Sequence, residues 1–463
     1  MKKIFKLALG QAIILGLAFP GTVSAAASYN VSRIYGSSRY QTSINICNNF
    51  SSGKVQNVIV TSGNNFPDAL AGSVLSKQLN APILLVDKSL SESQDSINYI
   101  KDHLDSSGTV YVLGGYASVS DEYINYIKSL GFNNIKRLGG KNRFDTNKVI
   151  VENMNVSKGT PLVVVNGSNF PDALSISSIA GMKGYPIILS NTDTLPDEVK
   201  EKISGISPSS VYIIGGQGAL SDNIISEIKK LDTTIEDGNI IRIWGKNRYE
   251  TSLNICKYFN LDTSTVVIAN GENFPDALSG SALAAKLQAP ILLTDGKNIS
   301  TQKEYIDTTK YTDEIILGGS GAVSEDAENE LKGIEKKLFE VTNEYVGEDG
   351  KYYIEGNYLK YVTDINEALD YVKRTGDSSV VEEDNGQWFI LDDGFDMTIS
   401  DKVKLEVDSD VSIKLIHFDS DGNISYNQPN FTDMVNGQYE DKPVFNLFIK
   451  DGKVMKMDQQ FRP

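Results

Sequence analysis

The sequence predicts an α/β protein of three tandem modules followed by a β-rich α+β domain. Three observations carry this. The phrase N-F-P-D-A-L begins at Asn65, Asn169 and Asn273, so both spacings are 104 residues. Around each copy, short apolar runs alternate with stretches of helical period. Near residue 335 both the repeat and the alternation stop. A period of 104 exceeds the roughly 20–50 residues of a solenoid unit and suits a domain that buries its own core.

The chain opens with Lys2, Lys3 and Lys6, an apolar run from Leu7 to Phe19, and small residues from Val23 to Ala27. This is the pattern of a secretory signal peptide over 1–27, with cleavage expected after Ala25 or Ala27. The run is shorter than the roughly 18 residues a membrane span needs. No later segment reads as a span, and no L-P-x-T-G sorting phrase occurs. A surface role would then require noncovalent attachment.

Repeat 1 is expected over 31–134. Arg33-Ile34-Tyr35 reads as a short strand and Arg39 to Phe50 as a helix. Val58-Ile59-Val60 is a buried strand, Asp68 to Leu79 a helix, and Pro82 to Val86 a strand. Ser91 to Leu104 is a helix, Val110 to Leu113 a strand ending in Gly114-Gly115, and Ser120 to Leu130 a helix. Repeats 2 (135–237) and 3 (238–335) keep this order, with strands beginning at Leu162, Pro186 and Val211, then at Val266, Pro290 and Ile315. Such alternation gives a largely parallel sheet covered on both faces. A charged, glycine-flanked linker is expected at 336–350, then an acidic β-rich domain over 351–463. In it, Thr363 to Arg374 reads as a helix, Val403–Val407 and Ser412–Phe418 as strands, and Asp451-Gly452 as a hairpin turn.

The formal charge is −16, and from Val341 onward 12 Lys+Arg stand against 25 Asp+Glu. The acidity therefore belongs mainly to the tail, and the repeats remain open to an anionic ligand. Neither part carries the basic footprint of a nucleic-acid binder. Cys47 and Cys256 share a repeat position that holds Val151 in repeat 2, which marks it as a core site.

Four phrases recur in step. In N-F-P-D-A-L, Asp68, Asp172 and Asp276 fall at helix starts, where a carboxylate favours unsatisfied N–H groups, and Phe66, Phe170 and Phe274 would seat the loop on the core. A structural corner and a ligand loop are both consistent with it, since open α/β sheets bind ligands at strand C-terminal ends. The loops lack G-x-G-x-x-G and Walker spacing, so no nucleotide is expected. In G-x-x-R-[YF]-x-T, Arg39, Arg143 and Arg248 offer forked donors suited to carboxylate or phosphate. An internal arginine–aspartate pair and a cationic spot for an anionic polymer both remain open. Pro82-Ile83-Leu84-Leu85, Pro186-Ile187-Ile188-Leu189 and Pro290-Ile291-Leu292-Leu293 read as central strands of the core. Gly114-Gly115, Gly215-Gly216 and Gly318-Gly319 suit tight turns.

No enzyme is expected. His103 and His417 are the only histidines, and neither stands in a catalytic motif. A hydrolase using two carboxylates of the tail remains the alternative. Asp419–Asn423 reads as a β-turn in preference to a calcium loop, and neither metal nor cofactor is expected.

Taken together, the recurring phrases resemble the type 2 cell-wall-binding repeat of clostridial surface proteins over about 31–335. The resemblance implies three Rossmann-like sandwiches in a pseudo-threefold intrachain arrangement. It also implies noncovalent binding to an anionic, teichoic-acid-like wall polysaccharide, with the P-I-L-L segments, Pro82–Leu85 and Pro290–Leu293 above all, implicated in retention. Repeat 2 departs mildly, with Phe144, Tyr185 and Ile188. The tail, which the resemblance does not cover, would be displayed outward; a third reading makes it an adhesin or assembly module that contacts surface-layer proteins or host matrix.

Overall fold

The computed structural model describes residues 29–460 other than 386, 392–393, 419–423 and 437–442. The expected signal peptide and the Asp419–Asn423 turn lie outside the described residues. Three four-stranded parallel sheets form the first part of the chain, and a β-rich domain with a barrel forms the second.

The first sheet orders its strands Ile83–Val86, Val55–Ser62, Leu104–Leu113 and Ile135–Leu138. That fourth strand opens repeat 2 in the sequence. The second sheet likewise ends on Ile240–Ile243, the opening strand of repeat 3. The third sheet is completed by Asn30–Ile34, which pairs in parallel with Asp313–Leu317. Each sheet thus borrows its last strand from the next repeat, and the N-terminal strand closes the series onto repeat 3.

Strand Val55–Ser62 crosses first to one neighbour and then, on the other side, to Leu104–Leu113. The crevice between their C-terminal ends is the switch point where open α/β sheets bind ligands. Because helices cover both faces, the strands are continuous apolar runs: Val163, Val164 and Val165 are all fully buried.

The helix after each N-F-P motif lies at the centre. Gly72–Leu79, Pro171–Lys183 and Pro275–Lys286 pack pairwise against one another. Their sequences are rich in Ala, Gly and Ser because close approach leaves room for little else; a Cβ on Gly181 would lie 3.0 Å from Ala285 Cβ. Buried serines return their hydroxyls to the helix backbone, as Ser177 does to the Leu174 carbonyl at 2.7 Å. One hydrophobic core runs through all three repeats and includes Ile59, Leu174 and Leu278.

Residues 336–350, expected as a linker, are a correction. Glu335–Val346 is a strand pairing with both Tyr352–Val362 and Val444–Lys450. Its charges sit on outward positions while Phe339 and Val341 point into the barrel and are buried, and the glycines belong to a hairpin turn in which Gly350 N–H donates to the Gly347 carbonyl. The barrel closes through Tyr352–Val362, Val403–Phe418, Lys453–Gln459 and Val444–Lys450. The helix Phe431–Asn436 plugs it with Phe431 and Met434. The expected hairpin is present, with positive φ at Asp451 (50°) and Gly452 (78°) as a two-residue turn requires. The expected helix is Ile365–Thr375.

One core position breaks the pattern. Glu314 stands where repeats 1 and 2 have Val110 and Val211, is fully buried, and leaves both carboxylate oxygens unpaired. Burial raises its pKa from 4.5 to about 7, an effect eased by Lys303 and reinforced by Asp307. The folded state therefore holds this proton more tightly than the unfolded chain, and stability falls as pH rises from about 4.5 to about 7. Glu314→Val should remove that fall and gain roughly 2 kcal/mol at pH 8, read as the difference between wild-type and variant denaturation curves across pH.

Candidate functional site

Each G-x-x-R turn is built to start a helix. The glycine N–H of Gly36, Gly140 and Gly245 donates to Thr42, Thr146 and Thr251 at 3.0, 3.1 and 3.0 Å. Ser38, Asn142 and Asn247 cap the helices that follow. Arg39, Arg143 and Arg248 occupy the first helical positions. Each guanidinium Nη1 donates to the carbonyl of the glycine preceding N-F-P-D-A-L in its own repeat, at 2.8, 2.7 and 2.7 Å to Gly63, Gly167 and Gly271. That glycine cannot carry a side chain, because a Cβ would strike the ring of Tyr40, Phe144 or Tyr249.

The double-glycine turns face these arginines from the preceding repeat. Gly114, Gly215 and Gly318 hold φ of 108°, 112° and 96°, and a Cβ there would collide with the carboxylate of Asp68, Asp172 or Asp276. A second arginine series fixes the turns from across the joint. Arg137 Nη1 donates to Gly114 O at 3.1 Å, Arg242 to Gly215 O at 2.9 Å and Arg33 to Gly318 O at 2.8 Å. In the sequence Arg33 stands in the strand Arg33-Ile34-Tyr35, and no residue pattern assigns it this contact. Its recurrence in step with the other phrases was the available signal.

A cleft results at the joint. Between repeats 2 and 3 it is lined by Asn169, Asp172, the 216–219 turn, Trp244, Lys246 and Arg248, with a volume of about 470 Å³. Between repeats 1 and 2 the counterpart, about 240 Å³, includes Asp68, Ser118, Lys141 and Arg143. At the joint of repeats 3 and 1, Arg39 acts electrostatically on Asp276. Burial pushes Asp172 up to about 6, and Arg248 partly offsets this; burial also raises Asp276, offset by Arg39. Asp68 instead accepts the Ser118 hydroxyl. Among the described residues no ion pair joins these aspartates to the three arginines. Only Arg248 has a carboxylate partner, Glu272 at 3.4 Å.

Phe66, Phe170 and Phe274 do more than seat their own loops. Their rings meet edge-to-face in a triangle, with centroids 5.4, 5.7 and 5.8 Å apart.

The P-I-L-L segments are placed elsewhere. Ile83, Leu84, Leu85, Ile187, Ile188, Leu189, Ile291, Leu292 and Leu293 are fully buried, and Pro82, Pro186 and Pro290 are buried beside them. They are sheet-edge strands and not the central strands expected; they are apolar throughout because a helix covers the outer edge, where Leu85, Leu189 and Leu293 N–H donate to Ser43, Asn147 and Ser252. These side chains offer a polymer no exposed surface. Cys47 and Cys256 are free and buried, as a core position requires.

A family model described as cell wall binding domain 2 matches residues 33–124, 137–225 and 242–328. The chain is similar to N-acetylmuramoyl-L-alanine amidase LytC of Bacillus subtilis, with 32% identity over 69% of this chain and 62% of that protein. It is similar also to the amidase enhancer of the same organism, with 31% identity over 76% of this chain and 45% of that protein. Among solved structures, Cwp6 from Clostridium difficile aligns with a TM-score of 0.59 and 28% identity, over 66% of this chain and 48% of its own. Cwp8 from the same organism gives 0.59 and 26%, over 65% and 51%. This chain spans less than two thirds of the length of each.

Asp172→Asn supplies a test of the cleft's electrostatics. The raised pKa means that ionising Asp172 costs stability as pH rises from about 4 to about 6. The variant should flatten that interval and be more stable at pH 7 by on the order of 1 kcal/mol, as read from melting curves at pH 4, 5, 6 and 7.

Proposed function

The chain belongs to the cell wall binding domain 2 family, and from that premise we propose that its inter-repeat joints, two of which form clefts, hold an anionic, teichoic-acid-like wall polysaccharide. The family and the solved neighbours make it a cell-wall-binding protein of the surface. The observation that supports the finer reading is the recurrence of one arrangement at the joints. At two joints an arginine whose Nη1 is held by a glycine carbonyl lines a cleft with an aspartate and a glycine turn of the preceding repeat, and at the third Arg39 is held by the same bond. Guanidinium donors suit phosphate and carboxylate groups. Three modest sites in a pseudo-threefold arrangement, engaging one polymer, gain avidity through effective concentration without any single tight site.

In this reading the protein is exported, stays on the wall without a covalent bond, and displays its acidic β-rich domain toward surface-layer proteins or host matrix. Among the described residues no helix is long and apolar enough to cross a membrane. The P-I-L-L strands contribute to retention indirectly, as buried strands that hold the sheet whose other strands end at the cleft. The likeness to the amidase covers only the binding region of this chain, which argues for a shared wall anchor in preference to shared catalysis.

Replacing Arg39, Arg143 and Arg248 by Gln tests this. Loss of one charge-assisted contact should weaken retention on polymer-bearing walls by roughly tenfold, and the triple variant should wash off. Wild-type protein should also release from walls stripped of their anionic polysaccharide. Equal binding to stripped and intact walls would contradict the proposal.

A further inference from the structure

The clefts carry a feature that their charges do not explain. Of the large apolar side chains that the repeats leave exposed, three stand at the joints: Tyr116 (71% exposed), Trp244 (52%) and Tyr35 (56%). They do not share a repeat position. Tyr35 and Trp244 precede the glycine of the G-x-x-R turn, where repeat 2 has Gly139. Tyr116 follows the double glycine, where the other repeats have Gln217 and Ser320. The joint that lacks an aromatic on one side therefore has one on the other, and each joint has a ring.

The rings sit over the glycine turns. A Cβ on Gly216 would lie 3.5 Å from the Trp244 ring, and one on Gly319 would lie 3.8 Å from Tyr35. Tyr116 lies over the Arg137 guanidinium, 4.6 Å from ring centroid to Cζ, and its neighbours Gly115 and Ala117 line the cleft. One ring face is thus supported and the other meets water. Exposing an aromatic face forfeits hydrophobic stabilisation, and the same cost at all three joints, met from two different repeat positions, points to a ligand that covers them.

We propose that each joint is a two-part subsite, in which the aromatic face stacks a sugar ring and the neighbouring cation takes the anionic group beside it. This rests on the polysaccharide reading above and narrows the ligand to a chain whose repeating unit sets an anion next to a pyranose ring. The three joints differ in strength. Between repeats 2 and 3, the larger indole stands with Lys246 and Arg248, and Lys246 keeps the cleft cationic although Glu272 pairs with Arg248. Between repeats 1 and 2, Tyr116 accompanies Lys141 and Arg143. Between repeats 3 and 1, Ser37 replaces the lysine beside Tyr35, making this the weakest.

The test uses the full chain and two probes: purified wall polysaccharide, and poly(glycerol phosphate), which offers anions without sugar rings. Wild type should prefer the polysaccharide. Trp244→Ala should weaken polysaccharide binding about tenfold and Tyr35→Ala less, while Trp244→Phe should recover much of the loss. The Trp244/Tyr116/Tyr35→Ala triple variant should bind both probes alike, with unchanged melting temperature and unchanged salt dependence, because the cations remain. If wild type binds neither probe, the polysaccharide reading itself fails. If it binds and the triple variant keeps both affinity and preference, the aromatic subsites are overturned.

Discussion

No repeat of this protein contains a complete sheet. Each supplies three strands and takes its fourth from the repeat that follows, and Asn30–Ile34 carries the last exchange back to repeat 3. The rest of the structure depends on this hand-over. A strand given away brings its C-terminal turn with it, so every G-x-x-R turn arrives at the C-terminal edge of the preceding sheet. There it meets the two turns that flank that sheet's switch point, the place where an α/β sheet has a natural crevice. The cleft is thus a consequence of chain connectivity, and closing the series supplies a third joint. The phenylalanine triangle and the three central helices then fill the space that the closed series encloses.

The same geometry explains how a chain of net charge −16 can present cationic sites. Most of the net negative charge lies beyond Val341, and exposed charges more than about 10 Å apart are screened at moderate salt. Within a cleft, local donors decide the potential: arginine, lysine where present, and the N-terminus of a helix. Asp172 and Asp276 oppose them at a cost, since burial disfavours their charged forms. Their recurrence is partly structural, because each packs against a positive-φ glycine that has no room for a side chain.

Much of this was legible in the sequence, and the gaps have physical causes. The strands, their order and the buried cysteines followed from apolar periodicity and the repeat. Periodicity cannot say which sheet a strand joins, so Ile135–Leu138 read as the start of repeat 2 although it pairs with Leu104–Leu113. Glu335–Val346 read as a linker because its outward face is charged; the alternating Phe339 and Val341 were the signal of a strand. Phe66 and its equivalents read as local plugs, since one copy of a repeat gives no hint that it meets the other two. The arginines posed a choice between an internal pair and a ligand site. The structure supplies a different anchor, a glycine carbonyl, which no residue pattern specifies.

Amide hydrogen exchange of the full chain, with and without purified wall polysaccharide, tests most directly whether the joints are the binding sites. Binding at the joints predicts slowed exchange in the turns at 36–42, 140–146 and 245–251 together with those at 114–118, 215–219 and 318–322, and little change in the barrel. Slowing confined to the barrel or to the outer helices, with these six turns unchanged, would contradict it.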